Sequence, residues 1–213
     1  MPNIDWFFRD PGSAPSIPDT FSQLYLLRRD IDTCFGLNPD NGNPINGIDS
    51  GTGKPVNCKA IWPGVMGILA GIDLLGKFLA GNDEVGGSGL QGVGGRFRNF
   101  LEKYLALSDP DAETIYQLRN SLLHSFGLYS EVYRKGKLRR TYRFILTQQG
   151  SGHLIQEIGD DTYEIDVQLL RRLFNSAIAH YQTDLKDTAR ADYDELQRNF
   201  DKMLRKHGSI TIR

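Results

Sequence analysis

The chain has 213 residues, of which 24% are charged, and its formal net charge at pH 7 is -1. This near-neutral balance argues against a general nucleic-acid coating protein and leaves only a local basic patch as a candidate surface for nucleic acid. Two cysteines, Cys34 and Cys58, are too few for a disulfide framework and lack metal-ligand spacing, so they favour a reducing, cytoplasmic setting.

A chain of this length suits a single domain over residues 1–213 with a substantial core. The start reads Met-Pro-Asn-Ile-Asp-Trp-Phe-Phe and has no basic region followed by an apolar run, so we expect no signal peptide. Residues 1–18 contain irregularly spaced prolines. We expect them to form an N-terminal arm whose Trp6, Phe7 and Phe8 dock on the body of the domain.

The first helical pattern follows Asp19 or Thr20, either of which can cap it, and ends at Gly36. Its apolar residues recur at helical spacing: Phe21, Leu24, Leu27, Ile31 and Phe35. Residues 38–57 are dominated by Asn, Gly, Pro and Asp, which favour turns, so we expect a loop there. A loop of this length within a compact domain is often functional or mobile.

The second predicted helix, from about Pro63 to Ala80, is apolar nearly all round, which indicates a position at the centre of a bundle. The segment Ile61–Leu79 is also the one transmembrane candidate. It carries Asp73 and Lys77 and is of marginal length for a bilayer, so we expect a buried helix and no membrane partner. The Asp73 carboxylate needs a partner in such surroundings, and Arg119 is the expected one.

Residues 81–95 are rich in glycine, and Gly87-Ser-Gly-Leu-Gln-Gly92 has the spacing of a dinucleotide-binding fingerprint. The segment follows a predicted helix rather than a strand, so a flexible connector is the favoured interpretation and no cofactor is expected. The alternative is that the next helix, which begins near Arg96 and Arg98, offers its N-terminus and these guanidinium groups to a phosphate.

The helix that follows has the most informative pattern of the chain. Its core stripe is Ile115, Leu118, Leu122 and Phe126. Arg119 lies at the edge of this stripe, while Asn120 and His124, four residues apart, point away from it. Tyr116 and Leu123 border the polar pair, where an ordinary solvated face would carry charged residues. We therefore expect a second contact surface on this side of the helix.

After this helix the hydrophobic pattern changes to the two-residue period of strands. Three short strands separated by Gly- and Asp-rich turns are predicted: Tyr142–Thr147, Leu154–Ile158 and Tyr163–Val167. They form a small antiparallel β meander, inserted between helices at residues 140–167. Two more helices are predicted, one from Val167 through Tyr181 and one from Tyr193 to His207.

The stretch from Arg119 to His124 reads Arg-Asn-Ser-Leu-Leu-His. It resembles the signature of the HEPN (higher eukaryotic and prokaryotic nucleotide-binding) superfamily, Arg-X4-6-His, often with Asn directly after the Arg. The preceding segments Gly71–Gly76, with its acidic residue, and Gly95–Leu105 look like those of uncharacterised bacterial HEPN proteins. The resemblance covers residues 60–130. It implies a mainly α, up-and-down helical bundle, from which the β meander is a departure.

The resemblance also implies a function. Many members are metal-independent endoribonucleases, often toxins or abortive-infection effectors, that act as homodimers on RNA and are held in check by an antitoxin protein. In such a site Arg119 suits the phosphate whose charge builds in the transition state, and His124 suits proton transfer. Asn120 orients His124 or holds a phosphate oxygen, and Asp73 holds Arg119 from behind. The alternative is a non-catalytic HEPN module that binds nucleotide, RNA or a protein.

One helix is expected to provide half a site, because Arg119 and His124 are five positions apart and diverge by about 140°. A homodimer with Tyr116 and Leu123 in its interface would supply the other half. The simpler alternatives are that His124 is an ordinary surface histidine and that Arg119 is a structural partner of Asp73. Three further histidines, His153, His180 and His207, are expected to be structural or solvated.

A basic run follows the motif and forms a candidate RNA-binding surface: Arg134, Lys135, Lys137, Arg139, Arg140 and Arg143. It can track an RNA backbone while Tyr133 or Tyr142 stacks on a base. The alternative is a solvated edge strand whose charges prevent pairing with other chains.

Overall fold

The computed structural model describes residues 3–13, 19–45, 47–48, 51–53, 55–56, 59–89, 92–148 and 152–212. The helices within these ranges are α1 (Ile4–Phe7), α2 (Gln23–Cys34), α3 (Ile61–Ala80), α4 (Val93–Tyr104), α5 (Asp109–Ser125), α6 (Val167–Asp184) and α7 (Tyr193–His207). The strands are β1 (Thr20–Ser22), β2 (Gly47–Ile48), β3 (Pro55–Val56), β4 (Tyr129–Arg134), β5 (Lys137–Thr147), β6 (Ile155–Gly159), β7 (Thr162–Asp166) and β8 (Ser209–Thr211).

The expected fold class, a mainly α up-and-down bundle with an antiparallel meander, is wrong. Helices take 52% and strands 19% of the structure, so the chain is a mixture of α and β. Four strands form a mixed sheet in the order β4-β5-β7-β6, and β7 lies between β5 and β6. β5 and β7 run parallel, with Phe144 opposite Tyr163. A meander of consecutive antiparallel strands cannot contain such a pair.

The sheet is also longer than the predicted insertion at 140–167, because it begins with β4. The aromatic residues of β4 lie on its outer side: Tyr129 is 45% and Tyr133 is 59% exposed. Both hydroxyls donate to the Glu131 carboxylate, at 2.7 Å each. Since the apolar side of β4 is not its buried side, the alternation that identifies a half-buried strand is missing from its sequence.

α3 is the centre of the helical part and packs against α2, α4, α5, α6 and α7. Its residues Val65, Ile68, Leu69 and Ile72 are fully buried. Gly71 lets α6 approach closely, because a Cβ at this position would lie 2.4 Å from the ring of Phe174. The predicted position of this helix at the centre of a core is thus confirmed.

Among the described residues, α3 is also the single helix with the length and mean hydropathy needed to cross a membrane. In the structure, 61% of its most apolar window is buried inside the fold. This burial is that of a core helix and is consistent with a soluble protein.

The described part of the N-terminal arm docks on the helical core, as expected. Phe7 is fully buried, and its ring centroid lies 4.6 Å from that of Phe78 and 5.5 Å from that of Phe200. Residues 1–2 and 14–18 of the arm lie outside the described residues. In the predicted loop at 38–57, β2 and β3 form a two-residue antiparallel pair. Cys58 lies outside the described residues.

Candidate functional site

The ends of α5 set the position of the motif. Ser108 caps the N-terminus and accepts a hydrogen bond from the Asp111 amide at 3.3 Å. At the other end Phe126 adopts a left-handed conformation, with φ of 50°, and its side chain is 71% exposed. The prediction that Phe126 belongs to the core stripe is therefore wrong. The helix ends at Ser125, and the turn towards β4 directs the ring outward.

The expected ion pair between α3 and α5 is present. Arg119 Nη2 donates to Asp73 Oδ2 at 2.7 Å, and the two side chains are only 11% and 14% exposed. A pair so little exposed to water is screened much less than a surface pair. It locks the guanidinium plane against α3 and leaves Nη1 for other partners.

The second guanidinium nitrogen brings the motif together. Arg119 Nη1 lies 2.6 Å from His124 Nε2 and 3.2 Å from Asn120 Oδ1. The expected divergence of Arg119 and His124 is thus overcome within one chain. The two Cα atoms are about 7.5 Å apart along the helix axis, and the long arginine side chain bridges this separation.

The contact between Arg119 and His124 gives the imidazole a defined role. A guanidinium has donors and no acceptor, so His124 Nε2 is the acceptor in this contact. An imidazole that carries its proton on Nδ1 can take this role. A neutral imidazole is the form that can take a proton from a substrate hydroxyl. The side chain is exposed, so such a substrate can reach it.

All four predicted members of the site open on one cavity of about 290 Å³. Its lining residues come from α3, α4, α5 and the segment between α3 and α4: Asp73, Lys77, Asp83, Val85, Val93, Arg96, Tyr116, Arg119, Asn120 and His124. Sequence reasoning did not assign Lys77, Asp83 or Tyr116 to the site. A signal existed for Lys77, which follows Asp73 by four residues and so shares its helix face.

Asp83 connects the cavity wall to the end of α7. Its carboxylate accepts hydrogen bonds from His207 Nε2 at 2.9 Å and Lys206 Nζ at 3.0 Å. The hydrogen bond from His207, followed by that from Lys206, holds the pKa of Asp83 well below its usual range. His207 was expected to be structural or solvated, and its hydrogen bond to Asp83 gives it a structural role.

The glycine-rich segment follows a helix in the structure, as predicted. It joins α3 to α4, and the strand that precedes the glycines in the dinucleotide fingerprint is replaced by α3. Arg98 forms an ion pair with Glu113, and its guanidinium lies 5.3 Å from the ring centroid of Tyr116. The alternative that Arg98 binds a phosphate stays a prediction. Leu90 and Gln91 lie outside the described residues.

The described members of the basic run differ in their contacts. Arg140 donates to the Tyr163 hydroxyl, and its guanidinium lies 4.9 Å from the ring centroid of Tyr142. Arg143 donates to the Asp160 carbonyl at 3.1 Å. Exposed side chains in the turn and on the outer part of β5 are Lys135, Lys137 and Arg139. The Arg134 side chain lies outside the described part of the structure. Arg140 and Arg143 thus have partners within the sheet, although both residues are also exposed.

The described residues contain no group of three or more His, Cys, Asp or Glu side chains that could hold a metal ion. Comparison of the chain with protein-family models, with curated proteins and with solved structures finds no match.

Proposed function

We propose that the protein is a metal-independent endoribonuclease of the HEPN type, cytoplasmic and related to toxins or defence systems. One observation carries the proposal. Arg119, held by Asp73, contacts both Asn120 and His124 at the wall of a cavity. A cation, a neutral imidazole and an amide at one cavity are the groups that cleavage of a phosphodiester through its 2′-hydroxyl requires.

The reaction begins when a substrate phosphate replaces His124 as a partner of Arg119. Its oxygens accept hydrogen bonds from the guanidinium, which is charged at every relevant pH and matches the phosphate geometry. The Nε2 lone pair of His124 is then free to take the 2′-hydroxyl proton. The 2′-oxygen attacks phosphorus, and the bond to the 5′-oxygen breaks. A 2′,3′-cyclic phosphate and a 5′-hydroxyl are the products.

The leaving 5′-oxygen needs a proton, and a homodimer supplies it. In the proposed dimer His124 of the second copy, released from its own Arg119 and protonated, stands on the far side of the phosphate. Support for an interface here comes from Phe126, whose ring is 71% exposed two residues beyond His124. Tyr116 and Leu123 are half-buried against the core of their own chain and contribute less to this contact than their positions on α5 suggest. An antitoxin protein would cover the same surface.

A second candidate function is a non-catalytic module that binds nucleotide, RNA or a protein. One observation favours it: Arg119 already occupies His124 Nε2 within one chain. A histidine held in this way has a structural role until a ligand displaces the guanidinium.

The test is cleavage of an end-labelled RNA in EDTA by the wild-type protein and by His124→Ala and Arg119→Lys. The lysine keeps a charge for Asp73 but removes the two-pronged donor geometry. We expect the rate to fall by about 10²- to 10⁴-fold in His124→Ala. His180→Ala, which removes an exposed histidine of α6, is the control and should cleave at the wild-type rate.

Equal cleavage by all variants would assign the activity to a contaminant or another site. RNA binding without cleavage by the wild-type protein would favour the module. The dimer is tested by sedimentation of the wild-type protein and of Phe126→Asp, which should shift it to the monomer. A wild-type monomer that cleaves with a rate per chain independent of protein concentration would contradict the role of the second copy.

A further inference from the structure

The cavity at Arg119 contains two cations that the Arg-Asn-X3-His motif does not include. Arg96, in the first turns of α4, is fully buried, and Lys77 of α3 is half-buried. Both side chains line the cavity together with Arg119. Their positions follow from close helix packing. A Cβ at Gly76 would lie 2.9 Å from the Arg96 carbonyl oxygen, so the glycine allows α4 to lie directly against α3 at this point.

The carboxylates of the cavity wall already have cationic partners. Asp73 is paired with Arg119, and Asp83 is paired with Lys206 and His207 of α7. Lys77 forms no hydrogen bond or ion pair through its ammonium group with any side chain in the described ranges. The lining residues therefore carry more positive than negative charge.

A cation held in a partly buried cavity loses solvation that an anionic ligand can replace. Attraction between the two is strong there, because the local dielectric constant is lower than that of water. The cavity volume of about 290 Å³ is close to the lower end of small-ligand pockets, which begin near 300 Å³. The ligand class that fits both the charge and the size is a phosphate ester.

We propose that this cavity is a phosphate-binding site of the single chain, in which Lys77 and Arg96 receive phosphate oxygens beside Arg119. The phosphate is that of a free nucleotide or of an RNA strand. The proposal deepens the proposed function and rests on it only where RNA is the source of the phosphate. It assigns Lys77 as a binding residue, because an ammonium donates hydrogen bonds that phosphate oxygens can accept.

The experiment measures binding by titration calorimetry in the His124→Ala background, which separates binding from cleavage. The probes are inorganic phosphate, adenosine 5′-monophosphate and a short RNA. Lys77→Met keeps the length of the side chain and removes its charge, and Lys202→Met removes an exposed lysine of α7 as the matched control. We expect Lys77→Met to weaken binding by about 10-fold or more, the size of one charged hydrogen bond, and Lys202→Met to leave it unchanged.

Arg96→Lys is the second variant, since it keeps a charge in the buried position, and its folding is checked by thermal unfolding. If all three probes bind and Lys77→Met weakens the binding of each, the cavity is a general phosphate-ester site. If RNA is the one probe that binds, and Lys77→Met weakens its binding, the RNA strand is the ligand. Equal affinity of Lys77→Met and Lys202→Met, or failure of the parent protein to bind any probe, would overturn the proposal. Cleavage by the chain with an intact His124, independent of Lys77, would overturn it while leaving the endoribonuclease proposal standing.

Discussion

The helical part around α3 and the four-stranded sheet differ in how well their apolar patterns match their burial. α3 is apolar nearly all round and is buried among five other helices. In the sheet, β5 alternates as expected, with Tyr142 and Phe144 buried, while β4 exposes its aromatic residues. Apolar periodicity therefore identifies an element only where its apolar side is also its buried side.

The largest expected effect lies in the aromatic core of the helical part. Phe200 of α7 is fully buried against Phe7 and Phe78. Phe200→Ala leaves a cavity and should lower the free energy of unfolding by roughly 3–5 kcal/mol. Chemical denaturation followed by circular dichroism measures it. If Phe200→Ala lowers the free energy of unfolding by less than a surface substitution does, the N-terminal arm does not pack as described.

The next effect concerns the ion pair that joins α3 to the motif. Asp73→Leu leaves the Arg119 charge uncompensated in a little-exposed position and should cost about 3 kcal/mol. The double variant Asp73→Leu with Arg119→Met removes both charges and should regain much of that loss. Denaturation of the wild type, of the single variants Asp73→Leu and Arg119→Met, and of the double variant tests this. If the double variant is as unstable as the sum of the single ones, the pair is not coupled.

A smaller effect is expected in the sheet. Tyr163→Phe keeps the buried ring but removes the acceptor of the Arg140 hydrogen bond. We expect a loss of about 1 kcal/mol in the free energy of unfolding. The control is Tyr133→Phe, on the exposed side of β4, which should change stability less. An equal loss in both would show that the inner side of the sheet contributes no more than its outer side.

The smallest effect is pH-dependent and lies at the surface of the helical part. Hydrogen bonds from Arg190, followed by those from Lys103, lower the pKa of Asp192 from 3.8 to about 2. A lowered carboxylate pKa adds stability above the unfolded value, and this contribution is lost as the pH falls through the folded value. The melting temperatures of wild type and Asp192→Asn should thus differ by a small, constant amount above about pH 5 and converge towards pH 2.

A difference of opposite sign, or one that grows on acidification, would contradict this assignment of the Asp192 contacts. Because the side chains of Arg190 and Asp192 are partly exposed, at 28% and 38%, added salt should reduce the difference further.

The helices were the predictable part of the fold. The apolar residues around α3 and the period of α7 are local patterns, and the observed bounds of these two helices lie close to the predicted ones. The sheet order was not predictable in the same way, because the insertion of β7 between β5 and β6 depends on contacts between strands distant in sequence. For the site, the Asp73–Arg119 pair followed from the need of a buried carboxylate for a cation, whereas its catalytic role stays a prediction.

Residue type and spacing within one helix were enough to predict the helices and the motif on α5. The pairing of Asp73 with Arg119 joins two helices, and it was predicted from the need of a buried carboxylate for a cation. Only the tertiary structure decided that Arg119 reaches His124 within one chain and that Lys77, Asp83 and Arg96 share its cavity. The physical reason is that a cavity is the space left between packed elements. Its lining depends on how α3, α4 and α5 approach one another, and no local pattern along the chain encodes that distance.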